Sequence, residues 1–210
     1  MPFIQTELLQ SARLLESIAA EGSAAIQAAA DLLIERLLAG NKVLIFGNGG
    51  SAADAQHFAA ELVGRYRRDR RSLPAIALTT DTSLLTAIGN DYSFEQIFQR
   101  QVSALAEPGD VVIGISASGR SKNVAAGIQA ARQAGAHTLV LIGAETAQLG
   151  KLPDLNSSKL VHLAISVPSR DLPRVQEAHA VIIHILCDLI EKALLEQEAK
   201  LQAETSVLEG

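Results

Sequence analysis

His57 and Glu61 stand four residues apart in a stretch, GSAADAQHFAAEL, that reads as helix. Both side chains then fall on one face, within reach of a shared proton or a shared metal ion. Zinc accepts an imidazole nitrogen and a carboxylate oxygen. A glutamate beside an apolar wall can instead have its pKa raised into the range of a useful general base. A solvent-facing His–Glu pair would leave the same spacing, so spacing alone does not separate the three. Further donors lie in the C-terminal helical pattern: Gln176, His179 and His184. A histidine on so apolar a helix is ordinarily a core residue, although two of them close together beside a glutamine widen the choice. Gln176 and His184 are eight residues apart, about 12 Å along an ideal helix. One metal ion reaches both only if the side chains lean together, the first turn is irregular, or two subunits contribute.

Two polar loops follow apolar runs. In KVLIFGNGGSAADAQ a buried strand runs into Gly47, Asn48, Gly49, Gly50 and Ser51 and then straight into a helix. Glycines let the backbone approach a ligand, and free N–H groups at a helix start favour anions or ligand oxygens. The plainer reading is a tight turn with Ser51 as N-cap. Gly47, Gly49 and Ala52 also satisfy the G-x-G-x-x-A dinucleotide fingerprint, but the next acidic residue at a strand end is Asp81, 30 positions after Ser51, where about 20 is expected. No nucleotide cofactor is therefore expected. In VVIGISASGRSKN, Ser116, Ser118 and Ser121 surround Gly119. Three hydroxyls with helix N-terminal amides make a phosphate cradle that needs neither a metal nor a Walker lysine. A third loop, TAIGNDYSF, places Asn90 and Asp91 after a helical segment, where an Asx turn would explain them equally well.

The elements that must hold these groups are legible as alternating patterns. Apolar runs at 42–47, 75–79, 111–116, 138–143 and 160–166 alternate with helical stretches, notably 51–64, 82–106 and 121–134. Continuous apolar strands linked by helices indicate a five-stranded parallel sheet covered on both faces, an α/β three-layer sandwich. In such a sheet ligands bind beyond the carboxyl ends of the strands, where both polar loops lie. Residues 1–40 read as two helices and residues 41–170 as the α/β centre. A C-terminal helix follows over 171–200, starting near Pro173, and 201–210 read as a frayed polar tail. Together these make one domain. Amphipathic helices at both ends suit an intersubunit bundle, so a dimer or tetramer is expected.

The formal charge of −5 offers no basic field for nucleic acid. No run approaches the roughly 20 apolar residues of a membrane span. The N-terminus lacks an unbroken apolar signal core, so a cytoplasmic location is expected. The single cysteine, Cys187, lies in an apolar run and reads as an inert buried thiol. The basic run Arg65, Arg67, Arg68, Arg70 and Arg71 reads as solvated surface at a helix end, or as an entrance for an anionic substrate. Nothing assigns chemistry to His137 or His162.

The stretches GNGGSAADAQHFAAELVGRY, LPAIALTTDTSLLTAIGNDYSFEQIFQRQV, GDVVIGISASGRSKNV and RVQEAHAVIIHILCDLIE resemble those of SIS-domain (sugar isomerase) proteins, and among them the sedoheptulose 7-phosphate isomerases. The resemblance extends over most of the chain. It implies a flavodoxin-like SIS fold and conversion of sedoheptulose 7-phosphate to D-glycero-D-manno-heptose 7-phosphate, on the way to bacterial ADP-heptose and lipopolysaccharide core. It also implies a homotetramer with active sites at subunit interfaces. On this resemblance the serine loop (Ser116, Ala117, Ser118, Ser121) is the phosphate site, and Asn48, Gly49, Gly50, Ser51, Asn90, Asp91 and Gln176 contact substrate. His57, Glu61, Gln176 and His184 match zinc-binding positions of some members, with Glu61 and His184 doubling as the acid–base pair. One departure is Ala117, where the family usually carries a threonine hydroxyl. The competing reading is a non-catalytic SIS-domain adaptor resembling the protein that binds the replication initiator DnaA. That adaptor lacks the acid–base pair this chain keeps.

Overall fold

Among the described residues five strands, β1 (Val43–Gly47), β2 (Ala75–Ala77), β3 (Val111–Ser116), β4 (His137–Gly143) and β5 (Leu163–Val167), form one parallel sheet in the order β2-β1-β3-β4-β5. The structure, a computed structural model, describes residues 2–143 and 161–208, so residue 160 of the expected fifth apolar run lies outside the described residues. β1, β3 and β4 are buried almost throughout, because helices cover both faces and leave no side for alternating polar residues.

Among the described residues seven α-helices surround the sheet: α1 (Phe3–Glu21), α2 (Ser23–Leu38), α3 (Gly50–Val63), α4 (Thr82–Asp91), α5 (Ile97–Leu105), α6 (Lys122–Gln133) and α7 (Leu172–Leu208). Val43 and Ile45 of β1 join a core with Leu33 of α2, Phe58 of α3 and Ile183 of α7. Their alternate neighbours Leu44 and Phe46 join a second core with Phe98 of α5 and Ile128 of α6. The period of two along each strand thus divides the apolar residues between the layers. Phe46 and Phe98 stack with ring centroids 4.8 Å apart.

Three expectations are corrected. The helix expected over 82–106 is broken after Asp91 and resumes through a 3₁₀ turn at Phe94–Gln96, with neither glycine nor proline at the break. Asn90 and Asp91 therefore close α4 rather than follow it. Residues 201–208 of the tail expected to fray are helical, because α7 continues to Leu208, and 209–210 lie outside the described residues. The arginine run is not simple solvated surface: it wraps Glu191 of α7, whose carboxylate is fully buried. That carboxylate accepts the backbone N–H groups of Tyr66 (2.7 Å), Arg67 (3.0 Å) and Arg68 (3.1 Å), and Arg70 Nε lies 3.5 Å away. Cys187 is buried as expected, and burial pushes its thiol up to about 12. Asp81 serves as N-cap of α4, accepting from Leu84 N at 2.9 Å.

Candidate active site

The strand order reverses between β1 and β3, since one crossover leaves β1 toward β2 and the next returns past it to β3. At such a switch point the loops diverge and open a crevice. Gly49 adopts φ +57° there, a left-handed conformation that suits glycine. Gly47 has no room for a side chain, because a Cβ would stand 2.7 Å from the Ile115 carbonyl oxygen and 2.7 Å from Ser51 Cβ. Ser51 is 3 % exposed, and α3 has no side-chain cap, so Ser51 is not an N-cap. It faces a cavity of about 190 Å³ together with Asn48, Ser116, Ser118, Ser121 and Gln176. Ser116 Oγ and Ser121 Oγ are 3.1 Å apart, and Arg120 N–H donates to Ser118 Oγ at 3.3 Å. The N-termini of α3 and α6 follow these loops, so the pocket combines hydroxyls with backbone donors, the equipment for an anion.

Asn48 and Asn123 exchange side-chain amide hydrogen bonds across the crevice, at 2.8 and 2.9 Å. Asn123 escaped sequence reasoning. Its only local signal is a place in the first turn of α6, and its partner is 75 residues away.

From this cavity α3 and α7 run side by side. Gln176 packs against Gly50, where a Cβ would meet its amide nitrogen at 2.6 Å, and further along His184 meets His57, ring centroids 4.9 Å apart. His57 Nε2 lies 3.2 Å from Glu61 Oε1 and 3.3 Å from His184 Nε2. His57, Glu61 and His184 are thus linked through the His57 ring, although 127 residues separate His57 from His184. Tyr66 stacks on His184 with centroids 5.3 Å apart, and Glu191 fixes Tyr66 through its N–H. His184 and Tyr66 line an open hollow with Val181 and Ile185. By contrast His179, five residues earlier on α7, is fully buried, its ring nitrogens outside full hydrogen-bond geometry and only the Ile142 backbone near enough to interact with them. Burial lowers its pKa to about 4, with the Ile142 backbone opposing. Asp54, one turn before His57, is pushed up to about 6 by burial, the charge of His57 opposing.

Donor separations of 3.2 and 3.3 Å about His57 suit neighbouring ligands on a tetrahedral ion with bonds of about 2.0–2.1 Å. Each pair therefore fits zinc, while among the described residues no three His, Cys, Asp or Glu side chains close into a complete metal site. Gln176, the fourth candidate donor, lines the serine-loop cavity. Asn90 and Asp91 are also elsewhere: Asn90 Nδ2 donates to Asp91 Oδ1 at 2.8 Å, and Asp91 borders a hollow between α4 and α5 lined by Leu84, Tyr92 and Arg100.

Comparison with known proteins bears on the family and the fold. Residues 8–143 match the model of the SIS domain. A phosphoheptose isomerase of Geobacter sulfurreducens is 52 % identical over 191 residues, which is 91 % of this chain and 97 % of that protein. Among solved structures, the phosphoheptose isomerase of Neisseria gonorrhoeae superposes with a TM-score of 0.81 at 40 % identity, covering 90 % of this chain and 97 % of its own. That of Francisella tularensis superposes with a TM-score of 0.83 at 35 % identity, covering 90 % and 96 %.

Proposed function

Because the chain belongs to the SIS-domain family and, within it, to the phosphoheptose isomerases, we propose that it converts sedoheptulose 7-phosphate to D-glycero-D-manno-heptose 7-phosphate, with Glu61 and His184 as its acid–base pair. What carries the assignment is one arrangement: Glu61 and His184 both reach His57 at one end of the α3–α7 groove, and the hydroxyl-lined cavity forms the other end. From Gln176 to His184 the groove runs about 12 Å along α7. In a seven-carbon sugar 7-phosphate the phosphate and the carbonyl also lie at opposite ends of the molecule, so one extended substrate spans both sites.

Aldose–ketose isomerisation moves a proton between adjacent carbons through an enediol, and needs one group at carbon and another at the oxygens. Glu61 takes the proton from one carbon and returns it to the next. His184, held by the Tyr66 ring and by His57, exchanges protons with the two oxygens. Ser116, Ser118 and Ser121 bind the phosphate. Asn48, Ser51, Gln176 and the Gly49–Gly50 backbone orient the sugar. Ala117 contributes only backbone, which leaves the three serine hydroxyls to hold the anion.

A zinc ion would be held by His57 paired with Glu61 or with His184, the third side chain having to move in to complete the set, and Gln176 is assigned to the substrate. Bound there, zinc would polarise the substrate carbonyl as a Lewis acid. We further assign a homotetramer, which would bring Asn90 and Asp91 of α4 to the sugar from a neighbouring protomer. The reaction belongs to the cytoplasmic supply of ADP-heptose for lipopolysaccharide core. Among the described residues no helix is long and apolar enough to cross a membrane. The convergence of Glu61 and His184 on His57 counts against the adaptor reading, which has no use for such a pair.

The test is incubation of the purified protein with sedoheptulose 7-phosphate, with chelator and with added zinc. The expected result is aldose formation that chelator suppresses and zinc restores. A folded protein forming no aldose under any of these conditions contradicts the reading.

A further inference from the structure

We propose that Asn123 is a positioning residue that sets the distance between the phosphate cradle and the sugar-orienting Asn48, by way of the paired amides that bridge the switch-point crevice; the inference rests on the isomerase reading above. Asn123 is 3 % exposed. Its Oδ1 accepts Val124 N–H at 3.0 Å as well as Asn48 Nδ2 at 2.8 Å, while its own Nδ2 donates to Asn48 Oδ1 at 2.9 Å. An amide oxygen has two lone pairs, so this oxygen is fully used. The Val124 N–H can only donate, which fixes which end of the Asn123 amide is oxygen. That choice obliges Asn48 to present nitrogen to it and oxygen to the Asn123 nitrogen. The rotamer ends of both amides are thereby set by one backbone group.

The consequence is geometric. Asn48 stands at the end of β1, and Asn123 is in the first turn of α6, directly after the serine loop. Each amide keeps a second N–H and Asn48 keeps a second lone pair, so Asn48 remains competent toward a sugar hydroxyl while its place relative to Ser116, Ser118 and Ser121 is fixed. Two reciprocal bonds hold both distance and rotation, which one bond would not. A substrate anchored by its phosphate then meets Asn48 at a set number of carbons from that anchor. Asn123 touches no reacting atom in this account and acts through Asn48.

The experiment compares the wild type with Asn123→Ala, Asn48→Ala and the double variant, measuring kcat/KM for sedoheptulose 7-phosphate and competitive inhibition by inorganic phosphate. Phosphate reads the serine loop alone. Asn123→Ala is expected to lower kcat/KM about tenfold, one hydrogen bond's worth of alignment, while the phosphate inhibition constant stays within about twofold. The double variant should be no worse than Asn48→Ala, because residues acting as one unit are not additive. Parallel weakening of phosphate inhibition, additive losses, or an unchanged Asn123→Ala would each overturn the inference. Should Asn123→Ala unfold, Asn123→Asp keeps the shape but replaces the donor to Asn48 Oδ1 by an acceptor and adds a negative charge, so only kcat/KM, not phosphate inhibition, is read in that variant. It is expected to lower kcat/KM at least as much, and wild-type kinetics in that variant would overturn the proposal. A wild type without turnover removes the isomerase reading and this one together, whereas an active wild type with an indifferent Asn123 removes this one alone.

Discussion

At the scale of single residues, two glycines a few positions apart illustrate how the site is built, and they predict different failures. A methyl group on Gly50 would meet the end of the Gln176 side chain at 2.6 Å, and a flexible side chain can move aside. Gly50→Ala is therefore expected to weaken substrate binding while the thermal midpoint hardly changes; a large drop in the midpoint would contradict this. Gly47→Ala meets backbone instead, the Ile115 and Ser51 carbonyl oxygens at 2.7 and 2.8 Å, and should cost about 1–3 kcal/mol of stability, measurable by denaturant unfolding. His57 and Glu61 were legible in the sequence because a helix repeats every few residues and puts them on one face. His184 was legible only as one of two histidines, and burial alone divided the core ring of His179 from the site ring. Asn123 was not legible, since nothing local to an asparagine reveals a partner on another strand end.

At the scale of elements, Glu191 shows how a helix organises a loop. Burial favours its neutral form, but the N–H groups of Arg67, Tyr66 and Arg68 and the charge of Arg70 outweigh that and hold its pKa below the ordinary value. A depressed carboxylate pKa contributes stability that is present above the unfolded value and is lost as pH falls through the folded one. Glu191→Ala would leave the three N–H groups and Arg70, whose side chain is 1 % exposed, without their acceptor, at a cost of about 3–5 kcal/mol. Conservative replacement by Gln keeps one acceptor but should still loosen Tyr66 from His184 and slow turnover; unchanged kinetics in a folded Glu191→Gln protein would refute the link from loop to site. The sequence placed this glutamate in an amphipathic pattern and the arginines at a helix end, because the contact joining them spans about 125 positions. The strands read correctly for the opposite reason: a buried parallel strand announces itself locally as an unbroken apolar run. The break in 82–106 carries no such mark, as Tyr92 and Ser93 interrupt the helix without glycine or proline.

At the scale of the whole molecule, acid sensitivity and assembly follow from what is buried and what is not. His179 has a folded pKa of about 4 against 6.5 for a free histidine. Above 6.5 it is neutral whether the chain is folded or unfolded and has no effect. Below that, the unfolded chain takes up a proton that the folded one refuses, so stability is lost as pH falls from 6.5 toward 4, by up to roughly 3 kcal/mol. His137 and His162 are shifted in the same direction, by burial and then by Arg36 for the first and Arg132 for the second. The unfolding midpoint should therefore decline through this range, and His179→Leu should flatten the decline; an unaltered slope would contradict the assignment. Phe3, Ile4 and Leu8 of α1 are 77, 72 and 66 % exposed, apolar surface that a homotetramer would cover, and sedimentation at micromolar concentration should find no stable monomer. The central claim, that Glu61 moves the proton, is tested most directly by the turnover of Glu61→Gln on sedoheptulose 7-phosphate relative to the wild type, with thermal unfolding as the check on folding. A loss of about 10²–10⁴-fold with an unchanged midpoint is the predicted result, and turnover within a few-fold of the wild type would contradict the account.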